Sequence, residues 1–119
     1  MQYAAFLLTA LVLVIHIYIV LLETVLFRSL GVKAFRIPPD RVEAMVPVMS
    51  NQGCYNLFLV AALTLGLFYP EEEIAQAFTV YGLVCVIIAG VWGGITVARK
   101  ILFIQTFPAA LALAAALLA

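Results

Sequence analysis

Charge is what this sequence has least of. Of its 119 residues only six are Lys or Arg and six are Asp or Glu, 10% together, where a soluble domain carries about 25%. Histidine occurs once and cysteine twice. Each shortage excludes something. With zero formal net charge, no basic tract and no interleaving of basic with aromatic residues, nucleic acid is not an expected partner. One histidine and two cysteines without ligand spacing fall short of a metal site, so neither a metal nor a cofactor is expected. Cys54 and Cys85 both fall in apolar runs and read as small buried side chains. The first apolar run has no basic residues before it and no small-residue cleavage site after it. It reads as a retained helix rather than a secretory signal.

Hydrophobicity is abundant instead: 67% of the residues, with a mean hydropathy of +1.23. A soluble chain this short buries only about two thirds of its unfolded surface, so most of these side chains need lipid as their solvent. The expectation is an all-α, four-transmembrane-helix bundle forming a single integral membrane domain over residues 1–119. The spans are predicted at about 3–27, 48–68, 74–97 and 101–119, each near the roughly 20 residues that cross a bilayer core. Between the first two lies the only long polar-leaning stretch, where Gly31 and Pro38-Pro39 interrupt any helix. Pro38-Pro39-Asp40 can open a short helix into the second span. The stretch suits either an amphipathic interfacial piece carrying Phe35, Ile37, Val42 and Met45 or an ordinary structured loop. Glu71, Glu72 and Glu73 form an acidic turn at the start of the third span.

All six basic residues, Arg28, Lys33, Arg36, Arg41, Arg99 and Lys100, fall in the first and third connections. The positive-inside rule therefore places loops 28–46 and 98–100 in the cytoplasm and both termini outside.

The spans hold a few residues that lipid would not tolerate. His16 and Glu23 lie seven apart in the first span, on nearly one face and about 10 Å apart along the axis; both should point into the bundle. The second span opens on Asn51-Gln52-Gly53-Cys54-Tyr55-Asn56, in which Gln52, Tyr55 and Asn56 share a face by their spacing. Gln105 lies about one turn into the fourth span and Thr96 near the end of the third. Four helices thus bring polar groups to one depth near the cytoplasmic side, with His16 deeper. The predicted arrangement is a polar chamber with Glu23 as its carboxylate. Asn51, Gln52, Tyr55, Asn56 and Gln105 are the ligand-binding candidates, and Glu23 and His16 the catalytic or proton-handling ones. Interhelical bonds that only hold the bundle together explain the same residues. A His16–Glu23 proton relay would need water or Tyr55 between the two. Small residues in the third span (Gly82, Gly90, Gly93 and Gly94) suit a tight helix crossing and offer a face for a homo-oligomer.

These motifs resemble, over essentially the whole chain, the DUF1304 family of small bacterial membrane proteins of unknown function. The resemblance rests on His16 with Glu23, on the aromatic-basic loop Phe35 to Pro38, and on the Asn51-to-Asn56 hexapeptide. It continues through Thr96, Arg99, Lys100, Ile101, Leu102, Phe103, Gln105, Pro108 and Ala109. It implies a multi-pass protein of the bacterial inner membrane and supplies no activity. A looser similarity links the chain to the four-helix membrane-associated eicosanoid and glutathione metabolism proteins, with Asn51 in the place of a motif Asn. Here no basic residue precedes it within the span and no acidic residue follows, so no thiolate-activating residue is assigned. The functional expectation is a small membrane protein whose chamber binds a small or lipophilic ligand. A proton-coupled transporter acting as an oligomer, an enzyme using Glu23 as acid or base, and a structural accessory subunit stand beside it.

Overall fold

An apolar run surrounded by lipid has no water to satisfy its backbone, so each N–H must bond within its own segment, and helix results. The computed structural model describes residues 1–119 and is helical almost throughout, without strands. Helix α1 spans Gln2–Glu23. A π-helical turn, Phe27–Gly31, leads into the single turn α2, Val32–Ala34. A 3-10 turn, Pro39–Arg41, then enters α3, Val42–Phe68. Helix α4 spans Glu72–Thr96, and a second π-helical turn, Leu102–Thr106, runs directly into α5, Phe107–Leu118.

The four long elements form an up-and-down ring: α1 packs on α3 and α5, and α4 packs on the same two from the opposite corner. The molecule measures 48 × 26 × 18 Å. Its core is a short column of Val12, Leu13, Leu63, Leu83, Val86, Ala109 and Ala112. Only 20 of 119 residues are buried, and large apolar side chains such as Leu7, Val14, Phe58, Ile88 and Ile95 face outward from the long helices. The exterior is therefore as apolar as the interior, which suits a face covered by lipid. Three helices are long and apolar enough to cross a membrane: Gln2–Glu23, Pro39–Phe68 and Glu72–Thr96. The apolar helix Leu102–Leu118 is shorter.

The element boundaries differ from expectation in three places. The first helix stops at Glu23 rather than Phe27. At Thr24 the backbone leaves helical geometry (φ −119°, ψ −99°), while the Thr24 hydroxyl donates to the Val20 carbonyl at 2.7 Å. The chain then folds back so closely that a Cβ at Gly31 would overlap the Leu22 carbonyl oxygen; glycine is what lets the loop seat on the helix end. The second helix begins at Val42, not Val48, and runs through Pro47, which gives up a bond to the Glu43 carbonyl one turn from an exposed helix start. The fourth opens with a π-helical turn, in which Phe107 N–H reaches back five residues to the Leu102 carbonyl. Pro108 has no N–H to offer the Ile104 carbonyl, and a wider turn before a proline accommodates that missing donor.

On the loop side, Arg28 pairs with Glu43, both well exposed. The guanidinium's hydrogen bond holds the Glu43 carboxyl below the usual carboxylate range. The third-span glycines meet atoms of the same chain: a Cβ at Gly82 would meet Leu63, at Gly90 Thr106, at Gly93 Ile101 and at Gly94 Leu102. The close crossing they permit is that of α4 with α3 and with the segment leading into α5.

Candidate functional site

On α1, the inward stripe carries Thr9, His16 and Glu23 at seven-residue spacing, all buried. The two ionisable members have separate partners. His16 has no exposed surface. Its Nδ1 lies 2.9 Å from the Val12 carbonyl oxygen, an acceptor only, so Nδ1 carries the proton and donates. Nε2 is then a lone pair and accepts from the Gln105 side-chain amide at 3.2 Å. Both ring nitrogens are thus occupied, and the imidazole ties α1 to the π-helical turn before α5.

Glu23 is 5% exposed. Its Oε1 accepts from the Asn56 amide at 2.7 Å, tying the end of α1 to the fourth turn of α3. Nearby, Gly53 lets the two helices approach, since a Cβ there would stand 2.6 Å from the Thr24 methyl. The second carboxylate oxygen has no protein partner, yet the only sealed side-chain polar atom without one is Thr9 Oγ1. Glu23 therefore keeps one oxygen on open space.

That space is a cavity of about 920 Å³. Glu23, Gln52, Asn56 and Gln105 line it, and so do apolar side chains from α1, α4 and the segment before α5, including Ile15, Ile19, Leu22, Val97, Ile101 and Ile104. Its size is that of a drug-sized ligand site, and its composition, apolar walls with a few convergent polar groups, is the usual one for such sites. The volume is shared with open surroundings at the mouth, where α2 and the residues after it bring Ala34, Phe35 and Arg36 and the start of the next segment brings Lys100.

Of the seven residues singled out by sequence, the structure brings four to the cavity wall: Glu23, Gln52, Asn56 and Gln105. His16 reaches it only through Gln105. Asn51 and Tyr55 lie away from it. Tyr55 is 61% exposed and stands edge-on to Phe58, ring centroids 5.7 Å apart. One residue along a helix is 100° of rotation, so with Asn56 turned to α1, Tyr55 lies on the flank and bridges nothing between His16 and Glu23. Thr96 returns its hydroxyl to the Trp92 carbonyl of its own helix at 2.7 Å. Sequence reasoning placed Arg36 and Lys100 only as loop charges. Their position at the cavity comes from the fold-back of residues 27–37, for which the one local signal is Gly31. No group of three or more His, Cys, Asp or Glu side chains is placed to hold a metal ion.

The comparisons with known proteins agree with the motif pattern. A family model described as "Protein of unknown function (DUF1304)" matches residues 10–117. No curated protein and no solved structure matches the chain.

Proposed function

The chain belongs to the DUF1304 family, and from that premise we propose that it is a four-span protein of the bacterial inner membrane that binds a small or lipophilic ligand in the cavity beside Glu23. In this reading Leu102–Leu118 completes the fourth crossing; its 17 residues reach about 25 Å as helix, the short end of what a bilayer core requires. Loops 28–46 and 98–100 then face the cytoplasm, with both termini outside, because every basic side chain sits in those two loops. The cavity opens at that end. A reporter fused to the C-terminus and active only outside the cytoplasm tests the topology; activity of a cytoplasm-only reporter at the same site would refute it.

The observation that carries the binding reading is the meeting of three helices' polar groups on one apolar-walled space. Glu23 keeps an unpaired oxygen there, and Gln52 makes no hydrogen bond within the protein. Interhelical glue alone would consume those groups, as it does the Nε2 of His16. Asn56, Gln52 and Gln105 orient the ligand, and Glu23 accepts its hydrogen-bond donor. The alternative of an enzyme uses the same space with Glu23 as acid or base, favoured by that single free oxygen; His16, with both nitrogens bound, positions Gln105.

Native mass spectrometry of protein extracted in mild detergent tests the binding reading. A retained small-molecule mass is expected in the wild type and should be lost in Ala89→Phe, which fills the cavity from α4. Identical spectra for the two proteins would overturn it.

A further inference from the structure

The single turn α2 ends in an unusual way. The Ile37 N–H reaches back to the Val32 carbonyl at 2.9 Å and the Arg36 N–H to the Lys33 carbonyl at 3.3 Å. This double closure requires the residue after the helix cap to be left-handed, a place usually taken by glycine. Here it is Arg36, at φ 54°, the only non-glycine residue of the chain with positive φ. A side chain at this φ is strained, so the backbone is carrying strain at the residue that brings a guanidinium to the cavity mouth.

A second cationic residue, Lys100, lines the same cavity. Lys100 Nζ donates to the Ala34 carbonyl at 3.1 Å, which pins α2 across the mouth and leaves two ammonium N–H groups uncommitted. Neither Arg36 nor Lys100 has a carboxylate partner; the one ion pair of the chain is Arg28 with Glu43, elsewhere in the loop. Glu23, the one acid on the wall, bonds to neither cation and already accepts from Asn56. The cavity is thus graded: two unpaired cations at the mouth, an acceptor below them, and apolar walls.

We propose that the occupant is an amphiphile with an anionic head, a phosphate or carboxylate bound by Arg36 and Lys100, with a hydrocarbon chain against Ile15, Ile19 and Ile104. This rests on the reading of the cavity as a ligand site and names the ligand's class. A planar guanidinium and an ammonium lining one cavity offer donors for the oxygens of such a head. A hydroxyl or amide N–H next to the head would donate to the free oxygen of Glu23. Cationic amphiphiles are disfavoured by the mouth, and a bare anion makes no use of the walls. A membrane lipid and a soluble acyl phosphate or fatty acid share this chemistry.

The test uses full-length protein in phosphatidylcholine nanodiscs, with binding counted above empty discs for four probes: decyl phosphate, decanol, decyltrimethylammonium and inorganic phosphate. Decyl phosphate should bind at least tenfold more tightly than the other three. Arg36→Gly is the informative variant, because glycine relieves the left-handed residue while removing the guanidinium. It should unfold no more easily than the wild type and yet bind decyl phosphate at least tenfold more weakly; Lys100→Gln should weaken binding similarly. Decanol binding as tightly as decyl phosphate, or full affinity in both variants, would overturn the anionic head while leaving the cavity's role intact. Inorganic phosphate binding as tightly as decyl phosphate would overturn the amphiphile and leave a site for a free anion. Failure of all four probes overturns this proposal, and the cavity's role falls with it only if the wild type and Ala89→Phe also give the same spectra by native mass spectrometry.

Discussion

Replacing Gln105 by Met isolates the bond that joins α1 to the segment before α5. Methionine keeps the unbranched length that packs where α4 comes close, the Gln105 Cβ lying 3.0 Å from where a Gly90 side chain would begin. It removes the donor that His16 Nε2 accepts at 3.2 Å. Two costs follow. The interhelical bond itself is worth about 0.6 kcal/mol on average in membrane bundles and about 1.7 at most, and a 3.2 Å separation argues for the lower part of that range. The imidazole nitrogen, on a residue with no exposed surface, is then left without a partner, which adds about 1–3 kcal/mol. Together Gln105→Met should lose roughly 2 kcal/mol in reversible unfolding in mixed micelles, followed by circular dichroism at fixed lipid content. His16→Leu removes the partner as well, so adding Gln105→Met to it should cost much less than Gln105→Met alone, with a coupling of about 2 kcal/mol. If Gln105→Met falls within about 0.3 kcal/mol of the wild type, or the two changes simply add, the bond holds nothing together and the argument for His16 as a positioning residue fails.

Two further outcomes follow from the packing and the charges. Thr9 is 1% exposed and its hydroxyl has no partner, so Thr9→Val, which keeps the shape, should raise the unfolding midpoint in the same assay; a fall would mean that the hydroxyl is satisfied. The depressed Glu43 carboxyl contributes stability that is complete above its unfolded pKa of about 4.3. That contribution is lost as the pH falls through the lower folded value. Since both partners are exposed, the contribution is small. Glu43→Gln should therefore leave neutral-pH stability almost unchanged and flatten only the acid limb of a stability–pH profile; an effect centred near neutrality would contradict it.

Hydropathy located the helices well where polarity changes sharply. The third apolar run, expected at 74–97, folds as Glu72–Thr96, bracketed by glutamates on one side and the Arg99-Lys100 turn on the other. It failed where composition and conformation part company. Thr24 to Phe27 are apolar enough to continue a helix, and only the reversal onto Leu22 reveals that they do not. Residues 42–47 close a stretch that is polar-leaning upstream and end on Pro47, which reads as a break, yet they are the first turns of α3. The candidate site was legible to the same degree. Heptad spacing on α1 and four-residue spacing on α3 put Glu23, Gln52 and Asn56 toward one space, and depth added Gln105. Pairing was not legible, because it depends on how each helix is rotated about its axis: spacing coupled His16 with Glu23, whereas the fold couples His16 with Gln105 and Glu23 with Asn56. Arg36 was hidden for a different reason. A left-handed residue is usually announced by Gly or Asn, and arginine announces nothing.

The two π-helical turns lie at the end of the bundle that holds the cavity beside Glu23. The half of the ring away from them is regular helix: Ala109 and Ala112 of α5 are fully buried, and Ala115 and Ala116 nearly so, while a smaller cavity of about 630 Å³, lined by Phe6, Gly66, Gln76 and Ala116 among others, lies at that end. Phe27–Gly31 and Leu102–Thr106 both lie at the other half. A π-helical turn takes in an extra residue and widens the helix, and it is glycine, Gly31 in the first turn and Gly90 and Gly94 opposite the second, that lets the widened segments still pack closely on their neighbours. In the second of them the insertion also shifts the register ahead of Pro108, so that Gln105 meets His16 instead of continuing the packing of α5. That local irregularity brings a polar side chain to the wall of the space. A bundle built only for stability would gain from regular helix at both ends; the irregular turns make sense at the end where Glu23, Arg36 and Lys100 meet the open space.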